Sequence, residues 1–204
     1  MGRGLLPRSF FKEDLMASKV SVSNLALTIL GADRVTSLED NSENARRLNA
    51  IYDMCLEDVL RAHPWNFAIA RQQLALLSSK PIFGYDYEFQ LPPDCLRVVE
   101  VNDGTNLITD FKVEGRKILC GYDSISIKFI ANITDPNQYT SQFIFTLASR
   151  IAAELAYAIT NNKSTQEEMF NLYQMRLQNS KETDAQESDS MNVIDEDKWA
   201  VDSR

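Results

Sequence analysis

The stretch SENARRLNAIYDMCLEDVLRAHPWNF, residues 42–67, marks the point where the chain changes from a helical to an extended pattern. Its apolar side chains recur at spacings of three and four, which is typical of an amphipathic helix. The stripe consists of Ala45, Leu48, Tyr52, Cys55 and Val59, widened by Ile51, Leu56 and Leu60. Asp40, Asn41 or Ser42 is expected to cap this helix. Pro64, which cannot continue the hydrogen-bond ladder, is expected to stop it.

After Pro64 the periodicity falls to two residues, which is typical of half-buried strands. The alternation is clearest over residues 124–129, where Ser and Lys separate Ile and Phe. Residues 111–120 place two such segments on either side of a Glu-Gly pair and predict a hairpin. The β-branched segment 96–101 predicts a further strand. We therefore expect a small, mostly antiparallel β region over residues 68–133.

Helical patterns lie on both sides of this β region. A first helix is expected from about Ser23 to Leu30, capped by Ser21 or Ser23 and ended by Gly31 in the left-handed conformation. From Thr140 onward, apolar residues recur every four positions and predict a third helix. A fourth helical pattern follows it. The sequence thus predicts an α+β fold. It combines a four-helix domain from both chain ends with an inserted small antiparallel β region and an extended C-terminal tail.

Composition and pattern together divide the chain into four parts. The expected boundaries are 1–17 for a flexible N-terminal arm, 18–67 with 134–181 for a discontinuous helical domain, 68–133 for the inserted β region and 182–204 for an acidic C-terminal tail. The tail is too poor in apolar residues to fold alone, so it is expected to be disordered in the free protein. Trp199 has no core to join there. With Val201 and Arg204 it is expected to dock on a partner or on a neighbouring subunit.

The charge of the chain argues against binding of nucleic acid through its phosphates. The net charge is −8, and residues 182–204 account for −6 of it, with eight acids against Lys198 and Arg204. About −2 remains for the rest of the chain. A protein that holds DNA needs a basic surface, and no basic cluster stands out in the sequence. DNA passing close by is expected to be repelled.

The sequence offers no constellation typical of an enzyme. It contains three cysteines, which are far apart, and one histidine, His63. These are too few donors for a zinc site, and the spacing of the cysteines does not indicate disulfides. Phosphate-binding glycine loops and hydrolase or metalloprotease motifs are absent from it. We expect no catalytic residue, metal or cofactor. The aromatic cluster of Trp65, Asn66 and Phe67 is either a binding patch or a packing staple between helices and strands, and the second interpretation is favoured.

Several ordered blocks resemble the tail tubular protein A-like adaptors of short-tailed phages and related prophages. The blocks are LAL at 25–27, LGA at 30–32, VTSLED at 35–40, RAHPWNFA at 61–68 with Arg71, FQLPPDCLRV at 89–98 and WAVDSR at 199–204. The resemblance covers roughly residues 22–204. The chain differs from the family pattern in its N-terminal arm and in the acidic stretch before Trp199.

This resemblance implies a non-enzymatic virion protein of the phage neck. Such a protein forms a homo-oligomeric ring, usually of twelve copies, assembles in the bacterial host cytoplasm and joins the portal to the tail nozzle. DNA then passes through the channel without specific binding. Independently of the resemblance, the sequence contains no run of 18 apolar residues, so no membrane span is expected. Three alternatives stay open from the sequence. One is a connector or head-completion protein of a long-tailed phage, and another is a tail-associated hydrolase that uses carboxylates. The third is a free-standing scaffold or chaperone-like binding module.

Overall fold

The structure is a computed structural model that describes the backbone of residues 17–196 and the side chains of residues 17–187. In this part of the chain it contains four helices and two small antiparallel sheets, so the predicted α+β class is confirmed. In chain order the elements are α1 (Lys19–Ile29), α2 (Glu43–Arg61), β1 (Ile69–Gln73), β2 (Tyr87–Gln90), β3 (Cys95–Asn102), β4 (Leu107–Ile108), β5 (Phe111–Glu114), β6 (Lys117–Cys120), β7 (Ser126–Ala131), α3 (Ser141–Thr160) and α4 (Lys163–Glu196).

Internal contacts divide the described chain into two units. The first contains residues 17–52 and 134–176, and the second contains residues 53–133 and 177–196. Helices α2 and α4 therefore each contribute one part to the first unit and the other part to the second. The boundaries expected at residues 67 and 181 differ from this division, because the ends of both helices have their contacts with the β-containing unit.

The helices of the first unit begin where short polar side chains accept backbone hydrogen bonds. Ser18, rather than the expected Ser21 or Ser23, caps α1. Its hydroxyl accepts from the Ser21 amide at 3.0 Å, and the Ser21 hydroxyl accepts in return from the Ser18 amide at 2.8 Å. This reciprocal cap satisfies amides that the first helical turn leaves unpaired. Gly31 follows α1 with a φ of +67°, as the sequence predicts.

The loop between α1 and α2 is fixed by two side chains that the sequence patterns do not single out. The amide group of buried Asn24 bonds both the N–H and the C=O of Val35, each at 2.8 Å. Asp40 closes a turn by accepting from the amides of Thr36 and Ser37 at 3.0 and 2.8 Å. Of the three predicted caps for α2, Ser42 is the one that accepts from the amide three residues into the helix, at 3.2 Å.

Helix α3 forms the centre of the first unit. Thr140 caps it by accepting from the Phe143 amide at 3.2 Å, and Asn161 ends it with a φ of +51°. Among the described residues it is the helix that is long and apolar enough to cross a membrane, judged by length and composition. However, 56% of its most apolar 18-residue stretch is buried within the protein, and the helix packs on α1. Packing in the first unit accounts for this apolar character.

The second unit is built on two antiparallel sheets with strand orders β1-β7-β3-β4 and β2-β6-β5. The predicted alternation in β7 is confirmed, since Ile127 and Phe129 are buried. The predicted hairpin is formed by β5 and β6. Its turn holds Gly115 and Arg116 at φ values of +53° and +64°, the backbone geometry that suits a two-residue hairpin turn. The core between the strands includes Phe89, Ile118, Ile125 and Cys120.

The expectation of a disordered tail from residue 182 is wrong for the residues that the structure describes. Helix α4 continues as far as Glu196. Asp184, one of the eight acids assigned to the tail, is only 7% exposed. The physical reason is that Asp184 meets hydrogen-bond donors in the second unit, so a polar composition did not prevent this segment from folding.

Candidate functional site

The three residues predicted to dock on a partner, Trp199, Val201 and Arg204, lie outside the residues that the structure describes. Their role stays a prediction. Within the described residues, three features stand out as candidates: a buried acid at the start of the acidic segment, an apolar loop tip, and a cleft lined by arginines. Each lies within the second unit.

Asp184 attaches α4 to the segment that follows α2. One carboxylate oxygen lies 3.0 Å from Nε2 of His63, and the other accepts from the Asn66 backbone amide at 3.1 Å. The Asn66 side-chain amide also donates to the Asp184 carbonyl at 2.8 Å. We call this set of contacts, made by Asp184, His63 and Asn66, the Asp184 clasp. It accounts for the single histidine as a structural residue.

The neighbouring aromatic cluster also has a packing role in the second unit. Trp65 is 1% exposed, and its indole N–H donates to the Val59 carbonyl at 2.9 Å. The His63 ring meets it edge-on, with ring centroids 4.9 Å apart. A buried indole with a satisfied N–H contributes mainly to core stability, which favours the packing interpretation of this cluster over a binding patch.

The cysteines of the second unit are poorly suited to nucleophilic chemistry. Burial raises the pKa of Cys95 and of Cys120, so both remain thiols at neutral pH, and the thiolate is the reactive form. All three cysteines are buried, and none of them forms a disulfide. Within the described residues, no group of His, Cys, Asp and Glu side chains is arranged to hold a metal ion.

Residues 74–86, which connect β1 to β2, form a loop with an apolar tip that projects into solvent. Ile82 is 99% exposed and Phe83 is 86% exposed. We call these two residues the apolar loop tip. Gly84 follows them with a φ of +92°, a backbone conformation that residues other than glycine rarely adopt. Tyr85 then ties the loop back by donating its hydroxyl to Asp110 at 3.1 Å.

The base of this loop is fixed by a buried carboxylate. Glu88 accepts from the Ser79 hydroxyl and from the Lys117 ammonium, the latter at 3.0 Å. The Leu77 amide also donates to the Glu88 carbonyl at 2.9 Å. The hydrogen bond from Ser79, followed by that from Lys117, lowers the pKa of Glu88 below its ordinary value of 4.5. The loop therefore presents its apolar tip from a fixed base.

Acidification is expected to weaken this base. A carboxyl with a lowered folded-state pKa stabilises the fold above its unfolded pKa, and that contribution disappears as the pH falls through the folded value. We expect the melting temperature to decrease as the pH is lowered below 4.5. Glu88→Gln should make this decrease smaller, and it should also lower the stability at pH 7. Thermal melts from pH 7 to 3 measure this, with exposed Glu114→Gln as a control. Identical acid profiles for Glu88→Gln and the unmodified chain would contradict the role of Glu88.

The third feature is a cleft of about 320 Å³ lined by Arg61, Arg97 and Arg116. Its remaining walls are mainly apolar and include Leu91, Phe111 and Val113. None of the lining residues in the described part of the chain is acidic. We call this feature the arginine cleft. The sequence gives no sign of it, because its three arginines come from α2, β3 and the β5–β6 turn.

Two of these arginines have hydrogen-bond partners, an acid for Arg61 and neutral carbonyls for Arg116, so it is Arg116 that keeps its positive charge at the cleft. Arg61 pairs with Glu57 one helical turn away at 3.1 Å, an exposed pair of the kind that contributes little to stability. Arg116 donates to the backbone carbonyls of Pro93 and Cys95 at 3.1 and 3.5 Å, and to that of Pro92. Neutral carbonyls fix the guanidinium without cancelling its charge. Arg97 is exposed on β3.

No family model and no curated protein matches this sequence. The resemblance to phage adaptors therefore stays an expectation from the sequence, and the function is a proposal.

Proposed function

We propose that this chain is a structural head-to-tail adaptor of a bacteriophage neck. In this proposal it forms a ring, with twelve copies as the family norm, that joins the portal to the tail nozzle and continues the DNA channel. It is then a virion protein that assembles in the bacterial host cytoplasm and acts through geometry. The blocks of sequence over residues 22–204 that resemble tail tubular protein A-like adaptors support this assignment.

The apolar loop tip is the observation that carries the proposal beyond resemblance. Exposed apolar side chains presented together are typical of surfaces that become buried in an assembly. Ile82 and Phe83 are two large apolar residues at nearly full exposure. Hydrogen bonds at both ends of the loop hold it in place, so little conformational entropy is lost when the tip is buried in an interface. This arrangement suits a subunit that contacts other proteins.

The charge of the chain suits a channel protein that lets DNA pass. A net charge of −8 disfavours attachment to phosphates, since such attachment depends on Lys and Arg directed at the duplex. The arginine cleft is a small local exception, and its apolar walls suit a peptide better than a phosphate backbone. In the proposed ring, DNA moves through the channel without specific binding.

Sedimentation with and without a portal ring tests the proposal. We expect the isolated chain to be largely monomeric or heterogeneous, and to form a closed ring when a portal is present, because a heterologous contact need not close unaided. The measurement is the mass of the complex against portal alone and chain alone. A stable ring of the same size without portal would show that templating is unnecessary, and no association at any concentration would contradict the adaptor function.

A further inference from the structure

The arginine cleft and the end of the chain are complementary in both charge and apolar character. The cleft combines three arginines with apolar walls, and none of its lining residues in the described chain is acidic. The final segment DEDKWAVDSR, residues 195–204, carries four acids against Lys198 and Arg204, with Trp199 among them. Arginine is well suited to carboxylates because its planar fork donates two parallel hydrogen bonds.

We propose that the arginine cleft binds residues 195–204 of a second copy of this chain. This inference rests on the proposed ring and names the partner of the predicted docking residues. Acids from Asp195 to Asp197 lie against the arginines, and Trp199 fills the apolar part of the cleft. Every copy carries one cleft and one segment, so in a closed ring each segment occupies the cleft of the next subunit.

The energetics favour a contact that is weak in isolation and strong in a ring. Exposed ion pairs contribute little individually, whereas a buried Trp concentrates interface energy. Immobilising side chains of the bound segment in the cleft costs conformational entropy, which lowers the affinity of a single contact. Around a ring the contacts become multivalent, and their combined strength greatly exceeds that of one. Because part of the contact consists of ion pairs, added salt should weaken it.

Fluorescence anisotropy with a labelled peptide of residues 193–204 and the full-length chain tests the contact. We expect binding that Arg97→Glu weakens about tenfold, while Arg71→Glu, the same charge change at an exposed site outside the cleft, leaves it unchanged. A peptide carrying Trp199→Ala should bind at least ~30-fold more weakly. A peptide with Asp195, Glu196 and Asp197 changed to Lys should regain affinity for the Arg97→Glu chain. Thermal melts confirm that each variant is folded, and Arg97→Gln provides a milder second variant.

Three outcomes would overturn the inference. The first is that the peptide does not bind, and the second is that it binds the Arg97→Glu and Arg71→Glu chains equally. The third is that the affinity for the peptide changes when the receptor's own acidic segment is altered. For the last, a full-length receptor with its own three acids changed to Lys is compared with the unmodified receptor at low micromolar concentration. Equal affinities are expected for a contact between copies. Much tighter binding to the altered receptor would show that each chain occupies its own cleft. Ring formation on the portal is measured separately, so failure here is distinguishable from failure of the adaptor function.

Discussion

Replacing Asp184 with Ala is expected to lower the free energy of unfolding by about 2 kcal/mol, the cost typical of removing one partner from a part-buried set of hydrogen bonds. The variant removes the acceptor for the Asn66 amide and the partner of His63 together. Asp184 is almost fully buried, whereas Asn66 is exposed and His63 is partly buried, so solvent replaces some of the lost hydrogen bonds and the cost stays moderate. The midpoint of thermal or urea unfolding should fall accordingly, by several degrees in a thermal melt.

Glu182→Ala is the matched control for this variant. Glu182 is an acid on the same helix, two residues away, but it is exposed and accepts from the Gln178 side-chain amide one turn back, at 2.8 Å. Its removal should change stability by no more than about 0.5 kcal/mol. If Asp184→Ala were as mild as Glu182→Ala, the Asp184 clasp would have no structural weight, and α4 would be held by other contacts.

Replacing both residues of the apolar loop tip, as Ile82→Ser with Phe83→Ser, is expected to abolish ring assembly on the portal. If the tip is a hot spot of the interface, each of its residues contributes at least ~2 kcal/mol, which is about 30-fold in affinity. The loss applies at every subunit, so it multiplies around a ring. Stability of the free chain should stay within about 0.5 kcal/mol of the unmodified protein, because the tip makes almost no contacts within it.

Leu107→Ser provides the comparison for the loop tip. Leu107 is an apolar residue on β4 in the same unit, 59% exposed, and lies outside the loop of residues 74–86. Portal association by sedimentation should be lost for the double variant and retained for Leu107→Ser. Normal assembly of the double variant would show that the apolar loop tip is not an assembly contact, and the proposed function would lose its main structural support.

Local patterns were sufficient to predict most of the secondary structure. The stripe from Ala45 to Val59, the alternation at Ile127 and Phe129 and the turn at Gly115 depend on neighbours within a few residues. Such signals are strong because a helix or hairpin buries one face with a fixed period. Strand β1 was not identified individually, since its sequence IARQQ lacks alternation and depends on pairing with β7.

The features that matter most for function depend on contacts between distant parts of the chain. Asp184 meets His63 and Asn66 across more than a hundred residues, so composition alone assigned it to a disordered tail. The arginine cleft likewise gathers Arg61, Arg97 and Arg116 from three separate elements, and no linear cluster announces it. Only the apolar loop tip has a local signal, the adjacent Ile and Phe beside a glycine. That signal is ambiguous because the same residues are equally typical of a core.

Electron microscopy of the protein mixed with portal rings tests the central claim most directly. The proposal predicts a second ring of this chain seated coaxially on one face of the portal, with an open central channel and the same copy number in every particle. The apolar loop tip should lie at a protein interface in that ring. Portal rings that remain bare at saturating concentrations of the folded chain would contradict the adaptor function.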